Sequence, residues 1–355
     1  MGSTGDGETG SIDFVDQLVA AVSRRWRSSN DLQEVVDHQL WERDDRLTLI
    51  GEAARSQVYD ARADIRRQVG EVPLFELAAI AHAVVYRTEG RWARSVPADA
   101  QYVFAGLSTR AISTLREIGL LLEQGYSFGA RSRWRTLSEI LVVARVLALG
   151  DRHSFTRYRL HRWIMLKDQR VRTGDSTWVS DEPTPEVMAA RLRRRFGKDF
   201  DSPYGWAARI TFRELRVIRP NWTHLHKLAE TDEHDSRVHD AHHAVHGADA
   251  LGLLGTVDAG YGMFHSGSSA SGVLEVTRDS VRLFRQTLWA LFEGCLKFSN
   301  ERRPQILQGI VDGCALNLEE NLGWRIVALD PVARDNYLSA IGDLLGPADL
   351  QGAST

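Results

Sequence analysis

Cysteine is nearly absent: Cys295 and Cys314 are the only two in 355 residues. Two thiols exclude a disulfide framework and any cysteine-rich zinc site, and they suit a reducing compartment. Long apolar runs are missing too. No window approaches the roughly 18 uncharged apolar residues of a membrane span. The opening "MGSTGDGETGSIDF" is acidic and Gly-rich rather than basic then apolar. The expectation is therefore no signal peptide, no membrane association and a cytoplasmic setting. Charge of one sign is also lacking, since 44 Lys and Arg stand against 47 Asp and Glu for a net charge of −3. No global basic excess draws the chain to nucleic acid or membrane, so a polyanionic partner has to be met by a local patch. Internal repeats, heptad runs and alternating strand patterns are absent as well.

What the sequence does contain is helical periodicity, in a chain whose 43% hydrophobic residues can fill a core. After a disordered tail at 1–10, "FVDQLVAAVSRRWRSS" spaces Phe14, Leu18, Val22 and Trp26 four apart, opening a helical extension over 11–95. Within it, Gly70 reads as a helix C-cap, and "PLFELAAIAHAVVYRTEG" opens on Pro73 and closes on Gly90. His82 on that helix is expected to be a satisfied core histidine. A central domain over 96–300 follows. "ADAQYVFAGLSTRAISTLREIGLLLEQG" turns Val103, Leu107, Ile112, Leu115, Ile118 and Leu122 inward, and "SFGARSRWRTLSEILVVARVLALG" follows after a tight turn, making an antiparallel pair. "SFTRYRLHRWIMLKDQRVRTG" is the next helix, and Thr184 and Pro185 suit the N-cap and N1 positions of another. Then come an irregular "KDFDSPYGWAARI" and a helix "TFRELRVI". The Gly/Ser-rich loop 252–272 has neither Rossmann nor P-loop spacing. A strong helix "LEVTRDSVRLFRQTLWALFEGCLKF" buries Val281, Phe284, Leu288, Leu291 and Phe292. Two helices, near 305–320 and 331–345, form a C-terminal layer over 301–350. The fold class is all-α, a central antiparallel helical bundle with helical additions at both ends.

The densest chemistry is "RVHDAHHAVHG", residues 237–247, which holds His239, His242, His243 and His246. Their offsets make one stripe on a helix. The i,i+4 pairs could reach a metal, but no Glu or His at the right offset completes a metalloprotease motif, and Glu-x-x-His pairs of the di-iron type are absent. No metal ligand set and no cofactor is assigned. Arg237 precedes His242 and His243 by five and six positions, a spacing that resembles the Arg-x4–6-His signature of the higher-eukaryote-and-prokaryote nucleotide-binding (HEPN) ribonucleases. That resemblance implies metal-free RNA cleavage, with Arg on the phosphate and His assisting attack by the 2′-hydroxyl. A structural reading stands beside it, in which the histidines pair with polar groups on facing helices.

A second stripe lies on "GARSRWRTLSEILVVAR", where Arg131, Arg135 and Glu139 border an apolar face. A carboxylate entering a core there needs an Arg or His beside it. Basic runs occur at 24–27 "RRWR", at 157–163 "RYRLHRW" and at 191–198 "RLRRRFGK", each expected to be a solvated face, the last being the best patch for RNA.

"GYSFGARSRWRTLSEILVVARVL" resembles the core helix of a mainly bacterial family, domain of unknown function 5677. "RRRFGKDFDSPYGWAARITFREL", "AHHAVHGAD" and "FHSGSSASGV" resemble its later segments in order, from about residue 100 to 300. Its motif positions fall on Arg135, Glu139, Tyr204, Gly205, Trp206, His243 and His246. The chain departs from the pattern at His242, where the family has Ser, and at Val238, near a place where it has an aromatic. The resemblance implies that the Arg/Glu helix and the His helix share one domain, and it brings no activity. The enzyme expectation is a metal-independent, HEPN-like RNA-cleaving protein. Its catalytic set is His243, His246, Arg135, Glu139, Arg237 and His242, and Arg131, Arg191, Arg194, Arg195, Tyr204 and Trp206 contact RNA. The alternative is a helical scaffold or protein-binding module with a structural polar cluster, and the third reading is a His-based metal site. Both leading readings are compatible with a homodimer.

Overall fold

The structure is a computed structural model that describes residues 69–89, 95–174, 177–178, 183–231, 270, 272–299 and 302–329, with scattered positions between 17 and 67. The segment with the four histidines, most of the Gly/Ser-rich loop, the tail 1–10, the periodic run from Phe14 to Trp26 and the helix expected near 331–345 lie outside the described residues. Among the described residues there is no strand, and the architecture is all-α.

In chain order the helices are α1 (Leu74–Glu89), α2 (Ala98–Glu123), α3 (Ser127–Leu149), α4 (Arg152–Thr173), α5 (Pro185–Phe196), α6 (Ala208–Leu215), α7 (Trp222–Ala229), α8 (Val273–Leu296) and α9 (Arg302–Leu329). Local sequence sets their ends. Thr184 caps α5 by accepting from the Val187 N–H, with Pro185 at N1. Asp151 and Ser154 form a capping box at the start of α4, and Gly174 ends it at φ 67°, a left-handed turn open to glycine at no steric cost. Asn221 caps α7 and accepts from the His224 N–H.

The amphipathic stripes decide the packing. Val103, Leu107, Ile112, Leu115, Ile118 and Leu122 of α2 are all buried, as are Val281, Phe284, Leu288, Leu291 and Phe292 of α8. α8 lies along α3 and also packs on α2 and α9, while α2 takes α1 and α4 on its other sides. Phe104 and Phe292 meet edge to face at 5.0 Å where α2 crosses α8. One core runs from Ile65 to Leu322, so α1 and α9 share it with the central helices. Lys297, just past α8, donates to the Leu147, Ala148 and Gly150 carbonyls, satisfying acceptors left open at the end of α3.

Four details differ from the sequence reading. His82 is exposed rather than in the core, because the apolar stripe of α1 is carried by Leu77, Ala78, Ala81, Val84 and Val85. The run 157–163 is no solvated face, since Arg157, His161 and Trp163 are buried. The helix expected over 305–320 extends across Arg302–Leu329. The helix expected from Thr211 starts earlier, at Ala208, and α7, too short for a clear period, follows it.

Candidate functional site

Where α2, α3 and α4 diverge on one side, the turn at 203–206 and Trp222 at the start of α7 close the gap, leaving a cleft of about 730 Å³. α2 contributes Tyr102, Gly106 and Arg110, α3 contributes Arg135, Glu139 and Ile140, and α4 contributes Tyr158, Arg159, His161 and Arg162. Tyr204, Trp206 and Trp222 complete the wall.

The charges are sorted within it. Arg135 Nε stands 3.4 Å from Glu139 Oε1, an i,i+4 pair on α3 with 46% of the Glu139 side chain exposed. Glu139 is thus a half-exposed group of a cleft wall rather than a carboxylate in the core. Arg159 Nε stands 2.6 Å from Asp99 and its guanidinium lies over the Tyr102 ring. Four guanidinium groups and one carboxylate line the cleft, a local positive excess in a chain of net charge −3.

Aromatic rings occur as pairs. Tyr158 meets Trp206 edge to face at 4.9 Å, and Tyr204 lies 5.7 Å from Trp222 at 31° between planes. Burial, and secondarily the Glu139 charge, push the Tyr204 hydroxyl above its ordinary pKa, so it stays a neutral donor beside that carboxylate. Burial likewise raises Tyr158, against the opposing charge of Arg110.

The floor is held by α4. Arg157, 4% exposed, donates from Nε to the Trp206 carbonyl at 3.1 Å and from Nη2 to the Gly205 carbonyl at 2.6 Å. Its guanidinium lies 5.0 and 4.9 Å from the centroids of the Phe196 and Phe200 rings, which pack against each other at 4.8 Å. One turn on, His161 donates from Nε2 to the Ser202 carbonyl at 2.9 Å, its ring edge-on to Phe200. The tight passage through 198–207 requires Gly205, where a Cβ would fall 2.5 Å from both the Asp199 and Phe200 carbonyl oxygens. α4 therefore fixes Tyr204 and Trp206 through their backbone.

Burial lowers the His161 pKa from 6.5; the hydrogen bonds to the Ser202 and Phe200 backbone oppose this, and the Arg157 charge adds to it. The ring is neutral in the fold at pH 7. On acidification the unfolded chain takes up a proton first, so this contribution is complete above about pH 6.5 and is lost as pH falls toward the folded value. Urea midpoints measured from about pH 7.5 to about pH 5 are expected to fall less steeply in His161→Gln than in wild type. Equal slopes would show that His161 does not carry the acid sensitivity.

Of the residues expected from the sequence, Arg135, Glu139, Tyr204 and Trp206 come together in this cleft. Arg131, one turn earlier on α3, is outside its lining, as are Arg191, Arg194 and Arg195, exposed on α5. Arg195 lies over the Phe196 ring. Arg237, His242, His243 and His246 lie outside the described residues. The chain leaves the described residues at Thr231, beside Arg145 of α3, which donates to the Ala229 and Glu230 carbonyls. It is described again at Ala270 and Gly272, the latter against Ser127. The two ends of the histidine segment thus sit at opposite ends of α3. Sequence reasoning missed Tyr102, Arg110, Tyr158, Arg159, Arg162 and Trp222. Arg–aromatic interleaving in "RYRLHRW" was a usable signal for the α4 members. Among the described residues no group of three His, Cys, Asp or Glu side chains is placed to hold a metal ion, and no helix is long and apolar enough to cross a membrane.

Residues 101–259 match the family model described as a family of unknown function (DUF5677). No curated protein and no solved structure matches the chain.

Proposed function

Because residues 101–259 match the model of a family whose description assigns no activity, we propose from the cleft itself that the protein binds single-stranded RNA and cleaves it without a metal. The observation that carries this reading is the arginine-lined cleft with paired aromatic rings. Guanidinium groups neutralise phosphate, and rings accept unstacked bases of any sequence. Its volume lies within the range of sites for small ligands, about 300–1,000 Å³.

In this reading the chemistry belongs to His243 and His246, with His242 and Arg237 beside them. One imidazole takes the proton of a ribose 2′-hydroxyl as its oxygen bonds to phosphorus. The bond from phosphorus to the 5′-oxygen breaks, and a second imidazole gives that oxygen a proton. The products are a 2′,3′-cyclic phosphate and a 5′-hydroxyl, and no co-reactant is consumed. Arg135, held by Glu139, faces the phosphate. The family segment supports the grouping, since it spans both the Arg/Glu helix and the histidines.

The test is expression of wild type beside His246→Ala, scored for growth and RNA integrity. Arrest with fragmented RNA in wild type, and neither in the variant, is the expected result. Intact RNA in both removes the cleavage step. The Arg135–Glu139 pair, already satisfied within α3, favours a second reading, a binding module without chemistry. That reading predicts RNA retention in a filter assay that is unchanged by His246→Ala.

A further inference from the structure

Two arginines of the cleft are not engaged as the others are. Glu139 holds Arg135 and Asp99 holds Arg159, whereas Arg110 of α2 and Arg162 of α4 have no carboxylate within salt-bridge distance among the described residues. Both are exposed into the same cleft from facing helices. Arg110 is close enough to Tyr158 for its charge to act on that hydroxyl, and the Arg162 guanidinium stands 5.1 Å over the Trp163 ring. A guanidinium resting on an aromatic face samples fewer positions, so less entropy is lost when it binds an anion. The wall offers one part-exposed ring pair, Tyr204 with Trp222, whereas Trp206 is buried and edge-on to Tyr158.

Two uncompensated cations match one dianion. A terminal phosphate monoester carries about −1.5 to −2 at neutral pH, twice the charge of an internal phosphodiester. We propose that Arg110 and Arg162 are the phosphate-binding pair of the cleft, and that it takes a terminal nucleoside monophosphate with its base against the Tyr204–Trp222 pair. The inference rests on the nucleic-acid reading above for its ligand class, and not on the cleavage step. The shared chemistry comes from a free nucleotide or from the 5′-phosphorylated end of an RNA strand.

The full-length chain is titrated with adenosine 5′-monophosphate, adenosine and inorganic phosphate at low salt, reading tryptophan fluorescence, which Trp206 and Trp222 report from the wall. The nucleotide is expected to bind at least about tenfold more tightly than adenosine, and Arg110→Ala and Arg162→Ala each to weaken it about tenfold. Arg87→Ala, exposed on α1 outside the cleft, is expected to leave it unchanged. Circular dichroism checks that each variant is folded, and Arg162→Lys, which keeps the charge, should recover part of the binding. Tetraribonucleotides with a 5′-phosphate or a 5′-hydroxyl form the second arm. Preference for the phosphorylated strand over the mononucleotide marks a strand end as the source, the reverse order marks a free nucleotide, and either supports the pair. Equal binding of adenosine and its monophosphate, no saturable signal, or equal loss in Arg87→Ala overturns it. RNA cleavage by a protein that fails this test would leave the cleavage reading standing alone, and phosphate-dependent binding with intact cellular RNA would leave this inference standing alone.

Discussion

Gly205→Ala is expected to lower stability by about 3 kcal/mol and to abolish binding in the cleft. A methyl at this position meets the Asp199 and Phe200 carbonyl oxygens at 2.5 Å and the Phe200 carbonyl carbon at 2.7 Å. All three are backbone atoms, so no rotamer change relieves the clash, and the short turn Lys198–Asp201 has to separate from Gly205–Ala207. Overpacking commonly costs about 1–3 kcal/mol, and the upper end applies where only backbone can move. The displacement also moves residues 204 and 206 on either side, which supply two of the cleft's rings, so the binding proposed for the cleft is expected to be lost with it. Gly106 provides the control. It lies mid-helix in the wall of the same cleft, with nothing within 4 Å of an added Cβ. Gly106→Ala should therefore be neutral or stabilising by up to about 1 kcal/mol. Urea denaturation of both variants checks the contrast, and matching midpoints would refute this account of the turn.

That glycine shows where the sequence was legible and where it was not. The inward faces of α2 and α8 could be read residue by residue, because a 3.6-residue period and burial are two views of one stripe. The ends of α5 could be read from Thr184 and Pro185, since capping is decided within one turn of chain. Arg135, Glu139, Tyr204 and Trp206 were found as candidates through a family pattern, and their meeting in one cleft was not derivable from spacing. Arg159 and Arg162 looked like ordinary solvated charges, and Arg110 was not singled out, because the facing of α2 and α4 across a gap is set by interhelical packing. His82 and His161 were misjudged in opposite directions for the same reason. A lone histidine takes its environment from whichever helix lies opposite, and its own helix does not specify that partner. Glu139 was read as a carboxylate entering the core from the apolar run that follows it. The run is buried from Ile140, while Glu139 itself remains at the rim, half in solvent, beside Arg135.

Arg157→Met is expected to cost about 2–4 kcal/mol, because it removes two buried hydrogen bonds from a charged donor at once. The Gly205 and Trp206 carbonyls receive the Arg157 fork, the Gly205 oxygen also accepts the Ala208 N–H, and a hydrogen bond from a charged group is worth about 1.5–3 kcal/mol. Methionine keeps much of the stem volume against the Phe196 and Phe200 rings, so the loss reports the fork rather than a cavity. Arg157→Lys should fall between, since an ammonium is a point donor and cannot serve both carbonyls in the same geometry. Exposed Arg152→Met on the same helix should change little. The pH behaviour distinguishes this cation from His161. Burial, with the Arg209 charge second, lowers the Arg157 pKa to about 10. Between that value and its higher ordinary one the unfolded chain holds a proton that the folded chain has lost, so stability linked to this group rises with pH only in that window. Below it both states are charged, and the deficit of Arg157→Met should be nearly constant from neutral pH to about pH 9. On the acid side it should shrink. The Arg157 charge is one of the influences depressing His161, and without it the imidazole accepts a proton in the fold more readily. The variant's urea midpoint should then fall less steeply with acid than that of wild type, and a steeper fall would refute the coupling between the two side chains.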